Sequence, residues 1–448
     1  MRFLGVGETC DLGALYLALQ AEGHDVKIAV SEPKAQGTLA GLVPRTDDWR
    51  SELPWLSGGP DEGAILFESV SEGFGALQDE LRREGFTVIG GSTYGDRLEN
   101  DRAFAQRVLA ELGFPSGHVW EFDESERARA FIAQRPSRYV LKFSGADHGS
   151  SDTYVGELPD GRDVSAMLVA KAREDAKAAR RFILMEFIDG IEMGVGAYFN
   201  GERFLTPACL DWEHKRFFPG DLGENTGEMG TVVTYERTNR FFRRTLALME
   251  ERLREGGYLG YINLNTIVNE RGIWPLEFTC RFGYPGFAIL SPLQETPWGD
   301  LFGAMIRRDE LTFRTKPGFA VGVVLTTPPF PYTRDDIPEP IGLPVLFQEP
   351  IDFGHYHYGE VGADVAGQLV TSGLYGWTMV VTGTGATVAD AKAASYRNLD
   401  RVFVPHGRYR LDIGDRLIDR DWARLEQLDL LDPIEPHLPP VPQDGACR

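Results

Sequence analysis

Tyr261-Ile-Asn-Leu-Asn-Thr-Ile-Val268, then Asn-Glu-Arg-Gly272, then Ile273-Trp-Pro-Leu-Glu-Phe-Thr279, reads as two strands joined by a four-residue turn. Side chains alternate along a strand with period two. Asn263 and Asn265 therefore share one face, and Glu277 and Thr279 share the matching face of the partner. Four oxygen-bearing side chains meeting across a hairpin suit Mg²⁺, a hard cation that takes oxygen ligands and keeps several waters. Ile262, Leu264 and Ile267 bracket them, which ties the polar patch to a core rather than to an open surface. Arg281, two positions past Thr279, carries a planar fork able to clamp a nearby carboxylate or phosphate.

Upstream of the hairpin the chain begins with a strand–helix alternation. Strands are expected over residues 2–6, 26–30, 64–68 and 88–89, with a helix over 11–23, which makes a small parallel sheet with a ligand crevice at its strands' carboxyl ends. Asp101 is placed to cap a helix carrying Phe104, Val108 and Leu112, closed by Gly113 and Pro115. A second hairpin is expected to pair residues 182–188 and 194–199 with a following strand across Asn200-Gly201. A β-rich segment runs from about 318 to 384, and Thr387 can cap a helix with Val388, Ala391, Leu399 and Val402 inward. His355 and His357 share a strand face without an acidic or cysteine partner at ligand spacing, and read as packed side chains. The expected units are 1–98, 99–316 with a small subdomain over about 115–190, 317–420, and a Pro-rich extended tail over 421–448. The class is α/β plus α+β.

Charge narrows the partners. Asp and Glu number 67 against 46 Lys and Arg, a net charge of -21 that repels phosphate backbones and anionic lipid heads. Neither a nucleic-acid nor a membrane partner is expected, and small molecules are. Apolar residues at 42% and charged residues at 25% exclude a disordered chain. Four scattered cysteines with no CxxC pair suit a reducing cytoplasm and form neither a disulfide framework nor a zinc site.

Three further stretches carry chemistry. Lys142 ends a strand ahead of Ser144-Gly-Ala-Asp-His-Gly-Ser-Ser151, where small residues let backbone N–H groups approach phosphate oxygens. Met185-Glu-Phe-Ile-Asp-Gly-Ile-Glu192 places acids on both sides of a tight turn, with an extended backbone at 186–188 able to read an adenine edge. Glu213-His-Lys-Arg216 precedes Gly220-Asp-Leu-Gly-Glu-Asn-Thr-Gly-Glu-Met-Gly230, a long small-residue loop beside positive charge that suits an anionic substrate. Gly5-x-Gly7 after the first strand lacks the third glycine of a dinucleotide fingerprint, because Cys10 stands there.

Together these motifs resemble the ATP-grasp ligases, and within them the phosphoribosylamine–glycine ligase family. The family's Asp-His-Lys-Arg corresponds to Glu213-His214-Lys215-Arg216, and its Gly-Pro-Asn-Thr-Gly-Gly-Met-Gly to Gly223-Glu-Asn-Thr-Gly-Glu-Met-Gly230. Its Glu-Phe-Asn-Val-Arg-Phe-Gly-Asp-Pro corresponds to Glu277-Phe-Thr-Cys-Arg-Phe-Gly-Tyr-Pro285, and its C-terminal Tyr-Arg-x-Asp-Ile-Gly to Tyr409-Arg-Leu-Asp-Ile-Gly414. The resemblance implies an ATP-grasp fold, with a small parallel α/β domain before it and a mixed α+β domain after it. It implies ATP with Mg²⁺, or Mn²⁺ in its place, a carboxylate and an amine as substrates, and a monomer or homodimer. It also implies roles. Arg102, Lys142, Ser150, Ser151, Glu186, Ile188 and Glu192 would bind ATP, and Glu277, Thr279 and Asn265 the metal. Arg281 and Lys215 would be catalytic, and His214, Arg216, Asn225, Thr226, Gly227 and Met229 would hold substrate.

The departures carry as much. The family's N-terminal Gly-Gly-Arg-Glu-His-Ala, which serves the phosphoribosylamine, is replaced by Gly7-Glu-Thr-Cys-Asp-Leu-Gly13, and the usual metal-binding Asn is Thr279. The leading expectation is an amide-forming ligase with a different amine. The alternatives are a true phosphoribosylamine–glycine ligase and a nucleotide-binding scaffold without turnover.

Overall fold

The computed structural model describes residues 1–56, 63–68, 73–143, 153–174, 182–337 and 341–433. Ser150, Ser151 and residues 434–448 lie outside the described residues.

The first strands form the expected parallel sheet, in the order Asp25–Val30, Arg2–Gly7, Gly63–Phe67, Val88–Ile89. Leu4, Val6, Ile65 and Phe67 are buried on one of its sides, Phe3 and Leu66 on the other, as the near-continuous apolar runs require. A small antiparallel sheet follows, ordered Val119–Phe122, Phe182–Glu186, Tyr139–Phe143, Tyr154–Val155. The helices Ser125–Gln134 and Arg162–Glu174 cover it through Ala128, Ile132, Val164 and Leu168.

The largest sheet has eight antiparallel strands. Its order is Gly272–Thr279, Gly260–Asn269, Ile191–Phe199, Cys209–Glu213, Gly230–Thr234, Phe319–Thr326, Trp377–Gly385, Tyr356–Tyr358. It runs unbroken past residue 316, because every residue of Phe319–Thr326 is buried and that strand needs a partner on each edge. Thr387 caps Val388–Leu399 by accepting the Asp390 N–H, and that helix lies on the Trp377–Gly385 strand. Gly383 permits the close approach, since a Cβ there would overlap the helix backbone at Ser395. His357, in the Tyr356–Tyr358 strand, and His355, in the turn just before it, both hydrogen-bond to Thr382 Oγ1, at 3.1 and 3.2 Å.

Two expectations are corrected. Residues 182–188 do not pair with 194–199. The chain does reverse at Asn200-Gly201, where Asn200 Oδ1 accepts the N–H groups of Glu202 and Arg203. Ile191–Phe199, however, is almost wholly buried, and takes Gly260–Asn269 and Cys209–Glu213 as neighbours while Phe182–Glu186 joins the small sheet. The tail is also not extended from residue 421. Trp422–Gln427 is helical and Leu425, Leu430 and Leu431 are buried. Asp432 accepts the N–H groups of Asn239 and Arg240, satisfying the first turn of Asn239–Arg244. No described helix is long and apolar enough to cross a membrane.

Candidate active site

The small sheet and the large one wall a cleft of about 1420 Å³. At one end is the hairpin, with Asn263 directly across from Thr279 and Asn265 from Glu277. The expected four side chains do share a face, but their bonds differ. Asn265 is buried, donates from its carboxamide to Glu213 (3.3 Å) and Glu192 (3.5 Å), and turns its oxygen to the Thr266 N–H. Asn263 donates to Asp211 at 2.6 Å. Glycine on the neighbouring strand makes this recess, because a Cβ at Gly194 would overlap Asp211 and one at Gly196 would overlap Tyr261.

Lys215 is the charge centre. Its ammonium lies 3.2 Å from Glu192, 3.2 Å from Glu213 and 3.4 Å from Glu277. Burial acts to lower its pKa, but these carboxylates outweigh it and hold the ammonium well above its usual range. Around Glu277 the balance is mirrored. Desolvation pushes its carboxyl up, yet Lys215, Lys142 and Arg102 keep it below the usual range. Lys142 is itself lowered to about 8, by burial, then by Arg102 and Lys215 against Glu277. Arg102, lowered by burial, stands 3.5 Å from Met185 Sδ. Three separate segments therefore bring Arg102, Lys142 and Lys215 to one carboxylate.

Arg281 lines the cleft and is held from behind, its Nε donating to Glu99 at 3.1 Å while the other Glu99 oxygen accepts the Cys280 N–H at 2.6 Å. Glu99 lies 182 residues away in sequence and no local signal marks it. Glu186 and Ile188 line the far wall; the Glu186 carboxylate bonds to His118 at 3.0 Å and its N–H donates to the His118 carbonyl. Glu192 pairs with Lys215 rather than standing free.

The loop after Glu213 is ordered by its own backbone. Arg216–Phe218 pairs with Leu222–Asn225, Arg216 donates to the Gly223 carbonyl, and Thr226 Oγ1 donates to the Lys215 carbonyl at 2.7 Å. Asn225, Thr226 and Gly227 line the cleft. His214 is buried, and its Nε2 accepts the Gly414 N–H at 3.1 Å. Burial, with Arg410 beside it, lowers its pKa to about 4. Arg410, 1% exposed, is clamped by Asp221 and Asp412. Two motifs nearly two hundred residues apart thus dock on each other through His214. Met229 is corrected: its side chain is fully buried with Phe217 and Phe330 and does not line the cleft.

Residues that sequence reasoning missed complete the walls. Glu360 is buried and accepts N–H bonds from Leu374, Tyr375, Gly376 and Trp377, shaping a loop whose two aromatic residues face the cleft. At the carboxyl ends of the parallel strands, Glu68 accepts the Asp11 N–H at 2.8 Å and the Tyr16 hydroxyl at 2.5 Å. Burial and Asp11 raise Glu68 to about 8. Glu68 lies over Gly7, where a Cβ would overlap its carboxyl, so this crevice presents Glu8, Asp11 and Glu68.

The sequence model of the phosphoribosylglycinamide synthetase ATP-grasp (A) domain matches residues 100–287. Phosphoribosylamine–glycine ligase of Brucella melitensis is 30% identical over 359 residues, covering 78% of this chain and 82% of its own. That of Vibrio parahaemolyticus is 27% identical over 420 residues, covering 91% of each. The solved structure of phosphoribosylamine–glycine ligase from Thermotoga maritima superposes with a TM-score of 0.68 at 22% identity, over 92% of this chain and 100% of the other. The biotin carboxylase domain of 2-oxoglutarate carboxylase from Hydrogenobacter thermophilus, solved with MgADP, ADP and bicarbonate, superposes at 0.62 and 13% identity, over 97% and 99%. The last two likenesses speak for the fold. The gathered charges, the motif order and these relatives agree: the chain belongs to the phosphoribosylamine–glycine ligase family of ATP-grasp enzymes, ATP-dependent ligases that form carbon–nitrogen bonds.

Proposed function

We propose that the chain activates a small carboxylate with ATP and transfers it to an amine. A carboxylate oxygen attacks the γ-phosphorus, ADP leaves, and the amine nitrogen then displaces phosphate from the acyl phosphate to form the amide. The observation that carries this is the convergence of Lys142, Arg102 and Lys215 on Glu277 at one end of the cleft. Such a reaction consists largely of neutralising crowded anions and positioning the nucleophile. Lys142 and Arg102 hold phosphate oxygens, the backbone at Glu186 and Ile188 meets the adenine, and Glu192 reaches the ribose. Arg281, braced by Glu99, steadies the attacking carboxylate and the acyl phosphate it becomes, and Lys215 balances the acids around it.

The donor set fits Mg²⁺. This ion is commonly held by one or two carboxylates together with substrate phosphates, not by a protein cage. Glu277, kept ionised by three cations, with the Thr279 hydroxyl beside it, supplies that chemistry, whereas Asn265 directs its oxygen to backbone. Among the described residues no group of three or more His, Cys, Asp or Glu side chains forms a cage. When bound, the metal neutralises and orients the terminal phosphates.

For the substrates, the shared name of the relatives favours phosphoribosylamine and glycine over the different amine expected from the missing N-terminal motif. One observation supports the second reading. The crevice at the parallel strands presents the acids Glu8, Asp11 and Glu68, and a phosphate gains no charge attraction from them. ADP release with Mg²⁺, ATP, phosphoribosylamine and glycine, run beside a panel of other amines and carboxylates with the product weighed by mass spectrometry, decides between them. ADP release with no amide from any pair overturns the ligase assignment of the site.

A further inference from the structure

The floor of the cleft holds more carboxyl groups than its cations match. Asp211 and Glu228 are only 6% and 7% exposed. Asn263 engages one Asp211 oxygen, and the other, Oδ1, has no hydrogen-bond partner. Glu228 Oε1 is likewise buried without a partner. Both residues line the cleft, Glu213 lies between them in sequence, and Lys215, the one ammonium among them, is already shared by Glu192, Glu213 and Glu277. A buried carboxyl oxygen left unpaired loses the hydrogen bonds it makes in water, so such a group calls for a donor from outside the chain.

Glu228 also stands at a position where the loop that this chain resembles carries glycine. Here a charged side chain has been added and turned inward. Desolvation, then Glu213 and Asp211, push its carboxyl well above the usual range, and an incoming cation reverses that cost. The described acids form no metal-holding group. A primary ammonium instead offers three N–H donors and one charge to the oxygens of Asp211, on the Cys209–Glu213 strand, and of Glu228, in the loop before Gly230.

We propose that Asp211 and Glu228 form a subsite for a primary ammonium group additional to the amine that glycine or phosphoribosylamine carries, because the resembled loop has glycine, not a carboxylate, at position 228; the substrate that brings it is a basic amino acid or a diamine. This rests on the ligase reading only for calling the ligand a substrate; the subsite itself is tested by binding. Titration calorimetry on the full chain compares 2,3-diaminopropionate, 2,4-diaminobutyrate, ornithine, lysine and the 1,n-diaminoalkanes with their uncharged isosteres. At least one charged member should bind tenfold or more tightly than its isostere, and Glu228→Gln and Glu228→Gly should each bring that ratio to within twofold. A wild-type ratio within twofold across the series, or a preference that survives Glu228→Gln, overturns the subsite. Preferential binding with no ADP release from any substrate pair would overturn the ligase reading and leave the subsite standing. ADP release with phosphoribosylamine and glycine, without charge discrimination, would do the reverse.

Discussion

Replacing Lys215 by methionine keeps most of the side-chain volume and removes the one charge that three carboxylates share. At 3.2–3.4 Å from Glu192, Glu213 and Glu277, each pair contributes roughly 5 kcal/mol of attraction at an effective dielectric of about 20. Solvent takes back much of this, since the Glu277 and Glu192 side chains are 57% and 40% exposed while Glu213 is 26% exposed. Removing one partner of a buried pair costs about 3–5 kcal/mol, and the exposure here brings the expected loss to about 2–4 kcal/mol near neutral pH. The sign of the pH dependence follows from the shifts. The raised Lys215 pKa means its stabilisation is fully present below the unfolded value and fades only as pH rises through the folded one. On the acid side it fades as the partners protonate, Glu213 first because burial has pushed it up, Glu277 last because it is held down. Chemical unfolding of wild type and Lys215→Met at about pH 8 and about pH 5 should show a large gap at the former and a smaller one at the latter. A gap of equal size at both, or one under about 1 kcal/mol at pH 8, refutes the reasoning.

Glu277→Gln should lower Mg²⁺-dependent ADP release by about 100-fold or more, the scale of one lost transition-state electrostatic contact; near-normal release removes Glu277 from the metal site. Because Lys142 titrates at about 8, the apparent KM for ATP should rise between pH 7 and 9 as its charge is lost, and Lys142→Met should flatten that profile at a higher KM. His214 has its pKa lowered to about 4 from 6.5, so its share of stability is present above 6.5 and lost as pH falls towards 4, about 3 kcal/mol in all. His214→Leu should erase that slope and leave the Gly414 N–H unpaired, a cost of about 1–3 kcal/mol, measured as unfolding midpoints at pH 5 and 7.

How much could be read beforehand depends on how local the cause is. The hairpin of Asn263, Asn265, Glu277 and Thr279 was legible because period-two alternation and a short turn act within twenty residues, and the register matched. The helix cap at Thr387 is a contact across three residues. Met229 was misassigned because a glycine-rich loop shows where the backbone is pliable but not which side chain turns inward. Glu99 behind Arg281, Glu360 under the Tyr375–Trp377 loop and the Glu68–Tyr16 pair carry no pattern at all. Each is a lone acid whose role is set by donors brought from other elements.

The ordered motifs carried the resemblance that implied the family and its fold, while the periodicities placed the parallel strands and the Tyr261–Thr279 hairpin, since these are matters of residue type and spacing. Beyond that hairpin, which strand pairs with which was decided only in three dimensions. Ile191–Phe199 needs partners on both edges, and the choice of Gly260–Asn269 and Cys209–Glu213 over residues 182–188 depends on burying all surfaces at once. The electrostatic character of the site was decided the same way. A carboxylate beside Lys215 and one beside another buried carboxylate are the same residue in sequence, and only the distance and the exclusion of water separate the held-down Glu277 from the pushed-up Asp211 and Glu228.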